Sequence, residues 1–229
     1  MTYDDWRWLG SKEPAPQLAG GAPDLFGALP FPWEESLAAG VDEAGRGALA
    51  GPVSVGAVIL NADMPIEGLD DSKALSALER EALAEEIRAK ALAWCVSWGS
   101  ARDIERLNIL QATVRAMRQA VNTLAVRPSV VLVDGNYTPK GLSMPVTTLV
   151  KGDALVAQIA AASILAKTSR DHLMQELDKT YPGYGFATHM GYGTPEHLEA
   201  LKRLGPCPAH RRTFEPVRSL LAVHESAQY

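Results

Sequence analysis

The run Val130-Val131-Leu132-Val133, closed by Asp134-Gly135-Asn136, limits the fold more than any other segment of the chain. Four consecutive apolar residues offer no polar face to water, so they predict a strand covered on both sides. A sheet covered front and back requires helices on each face, which is the α/β class. The polar loop that follows then places Asp134 at the carboxyl end of a central strand.

The neighbouring segments fit that frame. Leu37 to Asp42 and Ser54 to Leu60 are small, branched and apolar, and read as two strands bracketing a special loop at Gly45-Arg46-Gly47. Ser76 and Glu79 have capping-box spacing, and Leu78, Leu83, Ile87 and Ala91 recur at helical intervals. Trp94 to Trp98 alternates as a strand. Ser100 and Asp103 open a second helix carrying Ile104, Leu110, Val114, Met117, Val121 and Leu124, which Arg127-Pro128 closes. A further strand is expected from Val146 to Val150. Asp153 then leads into an alanine-rich helix from about Leu155 to Tyr181, whose small residues permit close packing on a sheet. Thr194-Pro195 starts one more helix and Gly205 ends it. Strands that cluster first and then alternate with helices predict a mixed sheet flanked by helices.

Residues 1–35 hold Pro14, Pro16, Pro23, Pro30 and Pro32 without helical or strand periodicity, and are expected to form an arm docked through Trp6, Trp8, Phe31 and Trp33. Residues 36–218 form the expected main domain and 219–229 a tail. The apolar stretches Val53 to Leu60 and Ile159 to Ala166 fall far short of the roughly 20 residues of a membrane span. An acidic, aromatic N-terminus without a basic region and apolar run points to the cytoplasm. Cys95 and Cys207 show neither C-x-x-C nor Cys/His spacing, so reduced thiols are expected, with no zinc site. A net charge of −5 argues against indiscriminate polyanion binding. The segment with Lys202, Arg203, Arg211, Arg212 and Arg218 against the single acid Glu215 nevertheless suits phosphates.

Chemistry gathers at four carboxylates. Asp42 and Glu43 would point to opposite faces of a regular strand, but they adjoin a glycine-rich loop where the backbone is free to turn. Hard cations such as Mg²⁺ take oxygen ligands, so one or two carboxylates per ion with substrate phosphate oxygens suffice, and Asp134 and Asp153 would complete a site. Carboxylates brought together repel one another unless cations neutralise them. Taken singly, each acid reads equally well as a solvated surface residue, and Asp153 as a helix N-terminal charge.

Gly40-Val41-Asp42-Glu43-Ala44-Gly45-Arg46-Gly47 with Leu49-Ala50-Gly51-Pro52-Val53 resembles the opening signature of the ribonuclease HII family. The likeness continues through Asp71-Ser72-Lys73, Leu107 to Thr113, Asp134-Gly135-Asn136, Val150 to Asp153, Ala161 to Lys167 and His210-Arg211-Arg212. It implies a ribonuclease H-like fold, a mixed five-stranded sheet flanked by helices with a helical C-terminal extension, and Asp42, Glu43, Asp134 and Asp153 as the catalytic ligands of Mg²⁺ or Mn²⁺. The implied reaction is endonucleolytic cleavage of the RNA strand of RNA–DNA hybrids and incision 5′ of single ribonucleotides in duplex DNA, leaving 3′-hydroxyl and 5′-phosphate ends. Two-metal catalysis is implied with it.

The 2′-hydroxyl separates RNA from DNA, and the resemblance assigns its recognition to Gly45, Arg46 and Gly47 with Tyr192, the latter stacking on the neighbouring deoxyribose. Without that context Tyr192 reads as a packed residue before a helix, as does Tyr184. Lys73, Asn108, Gln111, Lys167, Arg211 and Arg212 carry donors that suit phosphates. Three departures from the family pattern stand out: Ala48 for proline, and Ala74 and Met190 for lysines. The lost lysines predict altered affinity or salt dependence with the chemistry retained. A monomer is expected, and Val223 to Tyr229 shows no clear clamp-binding motif. Another nuclease or transposase-like enzyme of the same superfold, or a silent nucleic-acid-binding module, is the rival reading. The adjacency of Asp42 and Glu43 departs from an exonuclease-type Asp-x-Glu, and a silent module would be expected to lack some of the four acids.

Overall fold

Five strands form one mixed sheet: β1 (Ala38–Ala44), β2 (Val53–Ile59), β3 (Ala93–Gly99), β4 (Val130–Asp134) and β5 (Val146–Leu149), in the spatial order β3-β2-β1-β4-β5. The computed structural model describes residues 37–70, 72 and 75–226, with side chains as far as 222. The expected arm at 1–35, together with Lys73 and Ala74, therefore lies outside the described residues. β1, β2 and β3 pair antiparallel, whereas β1, β4 and β5 run parallel. The sheet is thus mixed, as expected, with β3 joining the antiparallel half although a helix, residues 77–90, separates it from β2.

The helices are α1 (Ala77–Lys90), α2 (Ala101–Leu107), α3 (Ile109–Thr123), α4 (Ala157–Thr180), α5 (Phe186–His189), α6 (Pro195–Leu204) and α7 (Val217–Ser226). The Ser76 and Glu79 capping box forms as expected, each satisfying the other's backbone N–H. On one face of the sheet, Met117, Ala120 and Val121 of α3 pack on Ala39, Val41, Val131 and Val133. On the other, Ala161, Ile164 and Leu165 of α4 meet Val58 and Ile87. Each fully buried Ile or Leu contributes about 2 kcal/mol relative to exposure.

Strand alternation decides what faces α4. Gly40 and Gly56 point toward it, and a Cβ on either would lie 2.0 Å from the carbonyl carbon of Gln158 or 2.2 Å from the carbonyl oxygen of Ala162. Glycine in the strands and alanine in the helix together let α4 lie almost on the sheet backbone.

Two differences from the sequence reading concern helices. The single helix expected after Ser100 is broken at Asn108, which adopts φ 67° and caps α3 by accepting the Gln111 N–H. Asparagine tolerates a positive φ and its side chain competes for backbone donors, so apolar periodicity continued across a real break. Helix α7 also crosses the expected boundary at 218: Val217 is buried beside Leu49 and Leu201, with Leu220 and Leu221 packed on them.

Candidate active site

The acidic site is set by strand register. Val41 pairs with Val133 across parallel β1 and β4, so the next residues, Asp42 and Asp134, stand level at the carboxyl ends of the two central strands. Both lie on the α4 face, two residues beyond Gly40 and Leu132. Asp153 enters from a short 3₁₀ turn, Gly152–Ala154, just before α4. Carboxylate oxygens of Asp42, Asp134 and Asp153 all lie within 4.8 Å of one another.

Backbone amides orient all three. The N–H of Glu43 donates to Oδ1 of Asp42 at 2.6 Å, that of Gly152 to Oδ1 of Asp134 at 2.7 Å, and that of Ala154 to Oδ1 of Asp153 at 3.1 Å. Asp42 and Asp153 are buried. Burial foremost, then the charges of Glu43 and Asp134, pushes the Asp42 carboxyl up to about 8, against the opposing hydrogen bonds from Ser163 and the Glu43 amide. A close set of carboxylate oxygens in which Asp42 resists ionisation fits a hard divalent cation, whose charge would remove the repulsion.

Glu43 is not in that cluster. β1 continues to Ala44, two residues past its expected end. Glu43 pairs with Arg46 at 3.1 Å, and its charge still acts on Asp42.

The loop after β1 is held by two arginines. Arg211 is fully buried and donates to the carbonyls of Gly51 (Nε, 3.0 Å), Arg46 (Nη1, 2.7 Å) and Gly45 (Nη2, 2.6 Å). Arg170 of α4, equally buried, donates to Pro52 (Nε, 3.0 Å), Met190 (Nη1, 2.9 Å) and Ala50 (Nη2, 3.1 Å). Gly45 has φ +87°, and a Cβ there would lie 1.9 Å from Nε of Arg170. Tyr192, 40% exposed, sits with its ring 5.6 Å from the Arg170 guanidinium. The carbonyl of Gly191 accepts the amides of Leu49 and Ala50. Loop and tyrosine are therefore parts of one braced unit.

Comparison with known proteins decides the family. The family model for ribonuclease HII matches residues 39–217. Ribonuclease HII of Bordetella pertussis is 57% identical over 198 residues, 86% of this chain and 96% of its own. That of Albidiferax ferrireducens is 60% identical over 185 residues, 81% of this chain and 89% of its own. The chain belongs to the ribonuclease HII family. The crystal structure of ribonuclease H2 from Pyrococcus horikoshii OT3 shares the fold, with TM-score 0.69 and 28% identity over 82% of this chain and 98% of that one. Membership in the ribonuclease HII family makes the protein a metal-dependent endonuclease, a ribonuclease H acting on RNA–DNA hybrids.

Among the described residues, the donors expected to hold phosphates are engaged in different ways. Arg211 is the clear departure, because its guanidinium is spent inside the protein on the loop. Asn108 uses its side-chain oxygen as the α3 cap, and the Gln111 amide supplies that bond. Lys167 is paired with Asp171 at 2.6 Å. Arg212 is exposed, 3.8 Å from Glu105. Ala48 donates its N–H to the carbonyl of Gly45 at 3.4 Å, a bond the family's proline could not make. Met190 replaces a lysine at a left-handed position, φ 52°, where its carbonyl serves Arg170.

Arg170 escaped the sequence reading, although a signal existed. Ala162, Ala166, Arg170 and Met174 follow at four-residue spacing along the buried stripe of α4, and a charge in such a stripe needs internal partners. Both cysteines are free thiols, as expected, but Sγ of Cys207 lies 3.2 Å from Nδ1 of His210, a Cys/His contact the spacing was not read to contain. No helix among the described residues is long and apolar enough to cross a membrane.

Proposed function

We propose that this ribonuclease H incises 5′ of a single ribonucleotide embedded in duplex DNA, leaving a 3′-hydroxyl and a 5′-phosphate, in addition to acting on longer hybrids. The observation that carries this reading is the braced loop. Gly47 has no positive φ and nothing within 4 Å of the position its Cβ would occupy among the described residues. The fold itself therefore gives no reason for glycine at 47, whereas a sugar approaching the backbone from outside does. Tyr192, linked to the loop through Arg170, is exposed and suits stacking on the adjoining deoxyribose, so loop and tyrosine together would test one 2′-hydroxyl at its junction.

Asp42, Asp134 and Asp153, with Glu43 as the fourth carboxylate, would hold the divalent cations. Two Mg²⁺ or Mn²⁺ ions bound there would supply an activated water and neutralise charge at the leaving 3′ oxygen. The chain's own contribution is to orient the carboxylates through the amides of Glu43, Gly152 and Ala154 and to present the backbone of residues 45–47. Lys167, Arg212 and the exposed Arg46 would meet phosphates at the rim.

The test is incubation with Mg²⁺ or Mn²⁺ of three duplexes: one carrying a single ribonucleotide, one all-DNA, and one RNA–DNA hybrid. Incision 5′ of the ribonucleotide, with ends that a polymerase extends, is expected, and the all-DNA duplex stays intact. Absent incision at the single ribonucleotide, or equal cutting of the all-DNA control, refutes the reading.

A further inference from the structure

Beyond the acids and the loop, the most concentrated set of titratable side chains is a buried group around Tyr192. The N–H of Cys207 donates to Nδ1 of His210 at 3.0 Å. Nε2 of His210 lies 3.1 Å from Nε2 of His197, and Nδ1 of His197 lies 2.8 Å from the carbonyl of Tyr192. A carbonyl only accepts, so His197 carries its proton on Nδ1 and leaves Nε2 bare. Nδ1 of His210 accepts the Cys207 amide, so its proton is on Nε2, aimed at His197. The partners thus fix both tautomers, and the hydrogen bonds run in one direction from the 207 segment to Tyr192. Burial holds both rings below the usual imidazole range, His210 at about 4, which keeps them neutral as this order requires.

His189 completes the setting. It stacks on His197 with ring centroids 4.4 Å apart, accepts the Gly191 amide on Nδ1 at 3.2 Å and donates from Nε2 to the carbonyl of Tyr184 at 2.8 Å. The backbone of 190–192 is therefore gripped by Arg170 at 190, by His189, Leu49 and Ala50 at 191, and at 192 by His197, by the Thr194 amide on the same carbonyl and by the His189 carbonyl, which accepts the Tyr192 amide. Of these, only His197 reaches the peptide group of Tyr192 itself from a side chain.

We propose that His197, fixed in tautomer and aim by His210, is a positioning residue for Tyr192 and so sets how well the enzyme discriminates a single ribonucleotide from a continuous hybrid. The proposal rests on the reading of Tyr192 as the junction-testing residue. His197 touches no substrate in this scheme. It acts by holding the tyrosine's main chain, and hence the direction of its ring, against the braced loop.

The experiment compares wild type with His197→Leu, His197→Asn and Tyr192→Ala on the single-ribonucleotide duplex and on a long hybrid, all with Mg²⁺, and reports the ratio of kcat/KM values. Asparagine places an N–H near the site of Nδ1, so it restores the bond to Tyr192 without titrating, whereas leucine removes it. Leucine is expected to lower the ratio about three- to tenfold, the effect one such hydrogen bond supports, and asparagine to return it to within about twofold of wild type. Thermal unfolding of each variant, with the hybrid rate, reports folding. If His197→Leu fails to fold, ¹⁵N NMR of the wild-type imidazoles decides, with His197 expected as the Nδ1–H and His210 as the Nε2–H tautomer. The inference is overturned if leucine and asparagine shift the ratio equally or not at all while Tyr192→Ala shifts it, or if NMR finds the opposite tautomers. Should Tyr192→Ala leave the ratio unchanged, the reading of Tyr192 fails instead.

Discussion

Asp134 stands level with Asp42 and takes the Gly152 amide, so an amide side chain in its place keeps the size and loses the charge. Asp134→Asn is expected to abolish cleavage, a loss of at least about 10³-fold consistent with removing one cation ligand, while duplex binding in a gel-shift or anisotropy assay stays within a few-fold. Cutting that persists would take Asp134 out of the site. At this scale the sequence was legible where a residue's placement follows from its own segment, as with Asp134 at the end of an apolar strand or Gly45 in a loop. It was opaque where the role depends on a distant partner. Arg170 and Arg211 look like surface cations until their acceptors, about 120 and 165 residues away, are known.

Among the elements, α4 positions the most chemistry, since it supplies Ser163 to Asp42 and Arg170 to the loop. Its closeness to the sheet is what Gly56 permits. Gly56→Ala would drive a Cβ into the Ala162 carbonyl, and backbone cannot swing aside as a flexible side chain would. A loss of about 1–3 kcal/mol is expected in chemical denaturation, with reduced cleavage of single-ribonucleotide and hybrid substrates alike. An unchanged midpoint would mean that helix and sheet separate more easily than this contact suggests. The mixed sheet was readable, as were the helices at 77–90 and 195–204, whose Ser76 and Thr194 caps form as read. The helix at 157–180 was readable from its run of small residues, although it has no side-chain cap, and Leu78 of α1 is exposed. The break at Asn108 was not, since Leu107 and Ile109 keep the apolar pattern going across a residue that turns the backbone. Short α5 lacks the length for periodicity to register.

For the whole molecule, two buried groups set opposite slopes of stability against pH. Asp42, raised from 3.8 to about 8, keeps a proton in the folded cation-free protein that the unfolded chain has already lost, which favours folding at low pH. His210, lowered from 6.5 to about 4, refuses a proton that the unfolded chain takes, and His197 acts in the same direction. The two trends oppose each other between pH 4 and 6.5, and above 6.5 that of Asp42 remains. Stability without cations should therefore fall by up to about 2 kcal/mol from pH 6.5 to 8. Urea unfolding in a chelator measures it, and Asp42→Asn or saturating Mg²⁺ should flatten the decline. A slope that survives Asp42→Asn would assign it to another group. The same long reach of Arg211 bears on how the protein is made. The guanidinium that holds residues 45 and 46 is translated some 165 residues after them, so a nascent chain carries all four carboxylates long before its loop can set. Any product stopped short of residue 211 would carry Asp42, Asp134 and Asp153 and lack the guanidinium that braces residues 45 and 46.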